Sequence, residues 1–403
     1  MSVGAWTSAA REKLSLIVAV LTFLITVPLM YPFARIARGP ARPWVISGHR
    51  GRIYADNAAA VHRELMRQGQ PVIWISADPK LAQVMRDAGA EVRIRHSLRA
   101  RWAMLSAPVL IYSHGESDID LLQILLRRCL GLRVYVNHCM NHVKAGQRYS
   151  PVYDRLRGLR RWFYEFLITD FDVLLASSES EKYNFELGFS DKKERIRLGG
   201  GAHMDAFIEK VARGVKTRDI VYFPTFRDDA SGREELERVI QTLASDPTLA
   251  GWLEENDLRL RIGAHINTGA YKLAPAGRVE WLKPSEIVDA MCTTRAFISD
   301  YSGLLADSLL LDIPVVFFPF DLEDYLSTRR LYHPYERLAF GPVVRTPQEL
   351  VALLTSGAWE NLEPYAAHRK EFGELLIPNR EPSYAASSVA AIYEELEARA
   401  PQG

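Results

Sequence analysis

Along the chain the apolar and polar positions form two unlike stretches. Residues 14–30 read LSLIVAVLTFLITVPLM without a charge. Residues 31–34 extend the run to about 21 residues, enough to cross a hydrocarbon core at roughly 1.5 Å per residue. A single membrane helix over 14–34 is the expected outcome. A secretory signal peptide fits less well, because the run is long and Arg35, Arg38 and Arg42 follow it without a small-residue cleavage site. An amphipathic or buried helix remains as the other alternative. Those arginines outweigh Arg11 and Lys13, which Glu12 partly offsets, so the positive-inside bias puts the large domain in the cytoplasm, on a single-pass inner-membrane protein.

After a Gly- and Pro-containing linker at 39–43, short β-rich runs alternate with helical patterns. Strands are expected at 44–47, 72–76, 92–94, 109–113, 133–137 and 173–176, then at 220–223, 258–262, 279–281, 296–298 and 315–318. Helices are expected between them, at 56–68, 79–88, 118–129 and 152–167 in the first half and at 233–244, 284–291, 303–311 and 347–354 in the second. Runs that are apolar on both faces and separated by helices imply parallel sheets. Two such series predict two Rossmann-like, doubly wound α/β domains, whose ligands sit at the carboxyl ends of the strands. The expected division is an anchor and linker at 1–42, a first domain at 43–213 and a second at 214–403, the latter including a final helix at 383–399 whose packing partner is open.

Composition narrows the function. The chain has 403 residues, 48% hydrophobic and 25% charged, which indicates a folded protein of two or three domains. Fifty Lys and Arg against 49 Asp and Glu leave a net charge of +1, so no global field attracts nucleic acid, and none is expected as a partner. An anionic ligand must therefore meet a local basic site. Three cysteines, Cys129, Cys139 and Cys292, lack the spacing of a disulfide framework or a structural zinc.

The most informative stretch is ISDYSGLLAD at 298–307, where a buried strand ends in small hydroxyl residues and an acid before a helix begins. Free backbone N–H groups with the hydroxyls of Ser299 and Ser302 suit a phosphate or sugar hydroxyls, although plain N-capping explains the same residues. A second buried strand, PVVFF at 314–318, leads to DLEDY at 321–325. Together these segments resemble the signature of the CDP-glycerol glycerophosphotransferase family, the teichoic-acid polymerases and primases. That signature is S-D-Y-S-S, an Asp a few residues on, a Pro-led strand and an acidic D-x-x-x-Y end. VYFPTFRD at 221–228 is similar to the family's P-T-W-R-D, and YADN at 54–57 to its Y-x-D-N.

The resemblance implies a glycosyltransferase B-type fold and a CDP-activated polyol, CDP-glycerol first, as donor. It implies a lipid-linked or cell-surface glycan as acceptor, and no cofactor or metal. It assigns donor contacts to Thr225, Arg227, Ser299, Asp300, Ser302, Gly303 and Asp307. On its own chemistry Arg227, after a strand and Pro224, is placed to project into the cleft and hold a phosphate bidentately; a salt bridge to Asp228 or Asp229 is the competing reading. His265 closes LRLRIGAH at 258–265, where the family carries R-x-H, and is implied as a catalytic or phosphate-stabilising histidine.

The candidate base lies in YVNHCMNHVK at 135–144, which resembles the family's H-G-x-x-x-K. His138 is the first choice, His142 a rival and Lys144 the matching lysine, with Cys139 in place of the glycine and one extra residue before the lysine. His114, followed by Gly115, is a lesser candidate. A metal bound by the His-His-Lys group is disfavoured, since no carboxylate shares the spacing. GGGAHMD at 199–205 departs from the family's G-x-P-R-x-D, with Ala202 and His203 replacing Pro and Arg before Asp205. Losing that fixed charge would cost on the order of 2 kcal/mol of anion binding. Asp321 completes the secondary candidates. Two other functions share the architecture: a nucleotide-sugar glycosyltransferase of capsule or lipopolysaccharide assembly, and a membrane scaffold without turnover.

Overall fold

In the computed structural model, residues 3–126, 128–168, 171–189, 192–212, 217–227, 229–263, 277–283 and 286–399 are described. Among them are two parallel sheets. The first comprises β1 (Trp44–Ser47), β2 (Val72–Ser76), β3 (Glu91–Ile94), β4 (Val109–Tyr112), β5 (Leu132–Tyr135), β6 (Val173–Ala176) and β7 (Ile196–Leu198), in the order β3-β2-β1-β4-β5-β6-β7. The second comprises β8 (Asp219–Phe223), β9 (Arg259–Gly263), β10 (Val279–Leu282), β11 (Ala296–Ser299) and β12 (Val315–Phe317), in the order β10-β9-β8-β11-β12. The predicted two-sheet α/β fold is thus present. Strands β1, β2, β4, β5, β6 and β11, and the edge strand β12, are buried along their whole length, which is why they read as unbroken apolar runs.

Several local expectations change. The helix expected at 118–129 is replaced by two 3-10 turns, Glu116–Asp118 and Gln123–Leu126. The buried carboxylates of Asp118 and Asp120 accept nearby backbone N–H groups there, which competes with continuous helix. The helix expected at 152–167 is two, Pro151–Arg155 and Gly158–Ile168, parted where Gly158 takes φ +52°. The final helix, Tyr384–Ala398, whose packing partner the sequence leaves open, follows the second sheet in the chain and packs on the first. Val389 and Ile392 are buried in the first sheet's core, the Tyr393 ring packs at a tilt against Trp44 at 4.9 Å, and the helix covers Asp56–Arg67. Asp205 fixes its start by accepting the N–H groups of Tyr384 and Ala385, both at 2.9 Å.

The N-terminal helix runs Val3–Ala37, and its part Leu16–Ala37 is long and apolar enough to cross a membrane. One side docks on helix Leu98–Ser106: Phe23, Val27 and Ala34 are buried, whereas Leu21, Leu24, Ile25, Leu29 and Phe33 are exposed. Arg101, itself buried, donates to the Thr22 and Thr26 hydroxyls at 3.0 and 3.2 Å and to the Ala19 carbonyl at 2.7 Å.

Candidate active site

Strand order reverses between β1 and β4 in one sheet and between β8 and β11 in the other, so each sheet opens a crevice at the carboxyl ends of those strands. The loop after β5, which carries His138 to Lys144, spans the two. Lys144 bridges Leu331, Ala145 N–H donates to the Arg330 carbonyl at 2.8 Å, and Gly146 N–H donates to the Tyr332 hydroxyl at 2.8 Å. On the first-sheet side, buried Glu181 accepts the N–H of Asn141 at 2.6 Å and both the N–H and the hydroxyl of Ser177, while Asn57 donates to the carbonyls of Val136 and Asn137. The loop is held from both domains.

His138 and His142 separate clearly. His138 is exposed at the cleft and stacks on the His114 ring at 4.3 Å. Although its ring meets solvent, dense protein surrounds it, and this desolvation lowers its pKa to about 4 against the opposing pull of Asp56. His142 is 2% exposed, faces Asn184 at 3.3 Å, and burial with His333 lowers it to about 3. Only the first of the two opens on the cleft. Lys144 is half-buried, and its pKa is lowered by desolvation, with Cys139 and Asp300 opposing.

Arg227 is not free in the cleft as expected. It is 4% exposed, and its Nε and Nη2 bond the Asp321 carboxylate at 2.6 and 2.8 Å while Nη2 also bonds Asp300 at 2.9 Å. Burial alone would lower its pKa, but the two carboxylates outweigh that and raise it. Aromatic rings enclose the cluster: the guanidinium lies 5.3 Å from Tyr301 and 5.0 Å from Phe320, and Tyr301 donates to Asp321 at 3.1 Å. Asp300 also accepts the N–H of Thr225 at 2.8 Å and of Tyr301 at 2.6 Å. Asp229 is not its partner; it caps helix Ala230–Ser245, and Asp228 lies outside the described residues. Arg227 thus ties the ends of β8, β11 and β12 together.

Its neighbours offer hydroxyls and amides. The Thr225 hydroxyl is buried and finds no hydrogen-bond partner among the described residues. Ser299 Oγ donates to the Phe223 carbonyl at 2.6 Å, and Ser302 Oγ accepts Leu304 N–H at 3.2 Å. The expected helix at 303–311 is one α turn, Leu304–Asp307, followed by a 3-10 turn, so its dipole contributes little.

His203 joins the domains. Its N–H and Nδ1 bond Asn57 Oδ1 at 2.8 and 2.6 Å, and its Nε2 bonds Asp307 Oδ1 at 2.8 Å. Both ring nitrogens face acceptors, as in an imidazolium. Burial opposes that charge, but Asp307, with Asp56 and Glu181 behind it, raises the pKa. A histidine whose pKa is raised thus stands where the family carries an arginine. Asp205 has a structural role, described above, and His265 lies outside the described residues.

Sequence reasoning passed over His49. It follows β1, and its Nε2 bonds Asp56 Oδ2 at 2.5 Å while its ring packs on His114 at 3.8 Å. The available signal was its place after a switch-point strand, shared with His114.

A family model described as CDP-Glycerol:Poly(glycerophosphate) glycerophosphotransferase matches residues 30–381. The chain belongs to this family. Over 75 residues it is 37% identical to the teichoic acid ribitol-phosphate polymerase TarL of Staphylococcus aureus, a match covering 19% of this chain and 13% of that protein. Over 161 residues it is 26% identical to the teichoic acid ribitol-phosphate primase of Bacillus spizizenii, covering 40% and 39%. The match thus spans well under half the length of these curated relatives. The fold is that of the wall teichoic acid polymerase TagF, with TM-score 0.72 at 16% identity over 97% of this chain and 99% of that one. A variant of that polymerase soaked with CDPG has the same fold, with TM-score 0.69 at 15% identity over 97% and 98% of the two chains.

Two departures from the family's pattern meet in space. Cys139 stands where the glycine of H-G-x-x-x-K is usual, and Gly303 where the second serine of S-D-Y-S-S is usual. A Cβ on Gly303 would lie 2.8 Å from Cys139 Sγ and 3.1 Å from its Cβ, so the bulk gained on one side is removed on the other. Gly303→Ser alone is expected to destabilise by about 1–3 kcal/mol through overpacking. Adding Cys139→Gly should recover most of that loss. Thermal melting of the two single variants and the double variant checks the coupling, and additive effects would refute it.

Proposed function

We propose that the protein transfers a polyol phosphate, glycerol phosphate first, from a CDP-activated donor to a hydroxyl of a lipid-linked or glycan acceptor at a membrane. One observation carries this reading beyond family membership: the His138 loop and the Ser302–Gly303 turn, from different domains, touch at Cys139 and Gly303. In this reading neutral His138 takes the acceptor hydroxyl proton as that oxygen attacks the phosphorus bearing the polyol. The bond to CMP breaks, and CMP leaves with the electron pair. Lys144, the Thr225 hydroxyl and the amides of the 299–303 turn balance the phosphate charge, and His265 is assigned the same task by the family pattern. Asp300, Arg227 and Asp321 fix the turn rather than touch the donor.

The exposed side of Leu16–Ala37 supplies the membrane contact, with the domains in the cytoplasm. The Arg101 contacts favour a helix lying along the bilayer surface. A perpendicular span would carry Arg101, Asp120 and the docked domain toward hydrocarbon depth, which is costly for ionised groups. The test is calorimetric titration of the full chain in detergent with CDP-glycerol, CDP-ribitol and a UDP-sugar. Selective binding of a CDP-polyol is expected; preference for the UDP-sugar would replace the reading with sugar transfer.

A further inference from the structure

We propose that His49, Asp56 and His114 form a binding site for a first-row divalent cation of zinc type, beside His138 on the wall of the cleft. One ligand atom from each lies within 4.8 Å of the others, so a modest shift brings all three to bonding distance of a single ion. Two imidazoles and one carboxylate favour a borderline transition metal over magnesium or calcium. His114 is exposed, so coordination positions remain open toward the cleft, the arrangement of a site that takes a ligand rather than a closed structural one. The 2.5 Å contact between His49 Nε2 and Asp56 Oδ2 would be replaced by two bonds to the ion.

An independent observation is the support behind these ligands. Asp118, fully buried, accepts the N–H groups of Arg50 at 2.8 Å, Ser113 at 3.1 Å and His114 at 2.8 Å, locking together the loops that carry both histidines. The same loops hold strained backbone: His49, Arg50 and Asp56 are non-glycine residues at φ 49°, 55° and 58°. Strain of that kind persists where the surroundings over-determine a geometry, and it concentrates at functional sites. Two of the three strained residues, His49 and Asp56, are themselves ligands of the proposed site. Because His138 stacks on His114, an ion here would present its open positions beside the candidate base, to an anionic or hydroxyl oxygen of the ligand on that side. The site departs from the expectation of a metal-free protein, and it stands whether or not the transfer reaction is the one proposed.

The test is zinc binding by the full chain in detergent after chelator treatment, titrated against a chromogenic chelator, with Co2+ absorption as a probe of coordination. About one equivalent should bind, and Asp56→Asn and His114→Ala should each weaken binding by at least about tenfold and abolish the visible cobalt bands. Zinc should raise the melting temperature of the wild type and not of these variants. Asp56→Asn is nearly isosteric, so it keeps the test valid if His114→Ala fails to fold. Binding of equal affinity in the wild type and the variants, or no zinc above the level of a His49→Ala/Asp56→Asn double variant, would overturn the proposal.

Discussion

Replacing His138 by glutamine is expected to lower the transfer rate by about 10²–10⁴-fold while leaving the melting temperature at neutral pH nearly unchanged. The histidine is exposed at the cleft, where its ring stacks on His114 and hydrogen-bonds the Ser113 backbone, and glutamine keeps a polar side chain there without a ring that can take the proton. The pH dependence follows from its lowered pKa. A base works in its neutral form, and desolvation brings the folded-state value to about 4, so the acid limb of kcat/KM in the free enzyme should fall near pH 4. An acid limb at the ordinary histidine value would mean that another group is the base. The stability sign runs the same way. Between the ordinary value near 6.5 and about 4, the unfolded chain binds the proton that the folded chain refuses, so the contribution is complete above that window and lost as pH falls through it. His142, lowered to about 3, adds to this acid sensitivity without taking part in the cleft.

Arg227→Ala should be the most destabilising single change at the site, by about 3–5 kcal/mol, because it strands two carboxylates in the interior. Asp300 is fully buried and Asp321 has a side-chain exposure of 7%. Arg227→Lys should recover part of the loss, since it keeps the charge but not the fork that bonds both carboxylates. An Arg227→Met/Asp300→Asn/Asp321→Asn variant should be more stable than Arg227→Ala, which separates the cost of unpaired charge from the cost of lost packing. Denaturant midpoints check the series. Unchanged stability in Arg227→Ala, with donor binding lost, would restore the simpler picture of a free phosphate-binding arginine.

Arg227 also shows where sequence reading runs out. Its acidic neighbours Asp228 and Asp229 are visible in the sequence, but the partners it takes stand 73 and 94 positions away and are brought in by parallel pairing of β8, β11 and β12. The strands themselves were legible because both faces are buried and apolar. β7 was not, since Ile196 is its only buried residue and Arg197 and Leu198 face solvent, as suits an edge strand. The final helix carried no sign of its destination, because Asp205 and Trp44 recruit it from the other domain. Family motifs located His138, Lys144 and the 299–303 turn. The pairing of Cys139 with Gly303, and of His203 with Asp307, required the two domains in place.

The central claim is transfer of a polyol phosphate, and mass spectrometry of the acceptor tests it most directly. A lipid-linked glycan incubated with the full chain and CDP-glycerol should gain the mass of glycerol phosphate, with one CMP released per unit added, and the His138→Gln variant should give almost none. An acceptor that gains only a sugar, from a nucleotide-sugar donor, with CDP-glycerol left intact, would contradict the account.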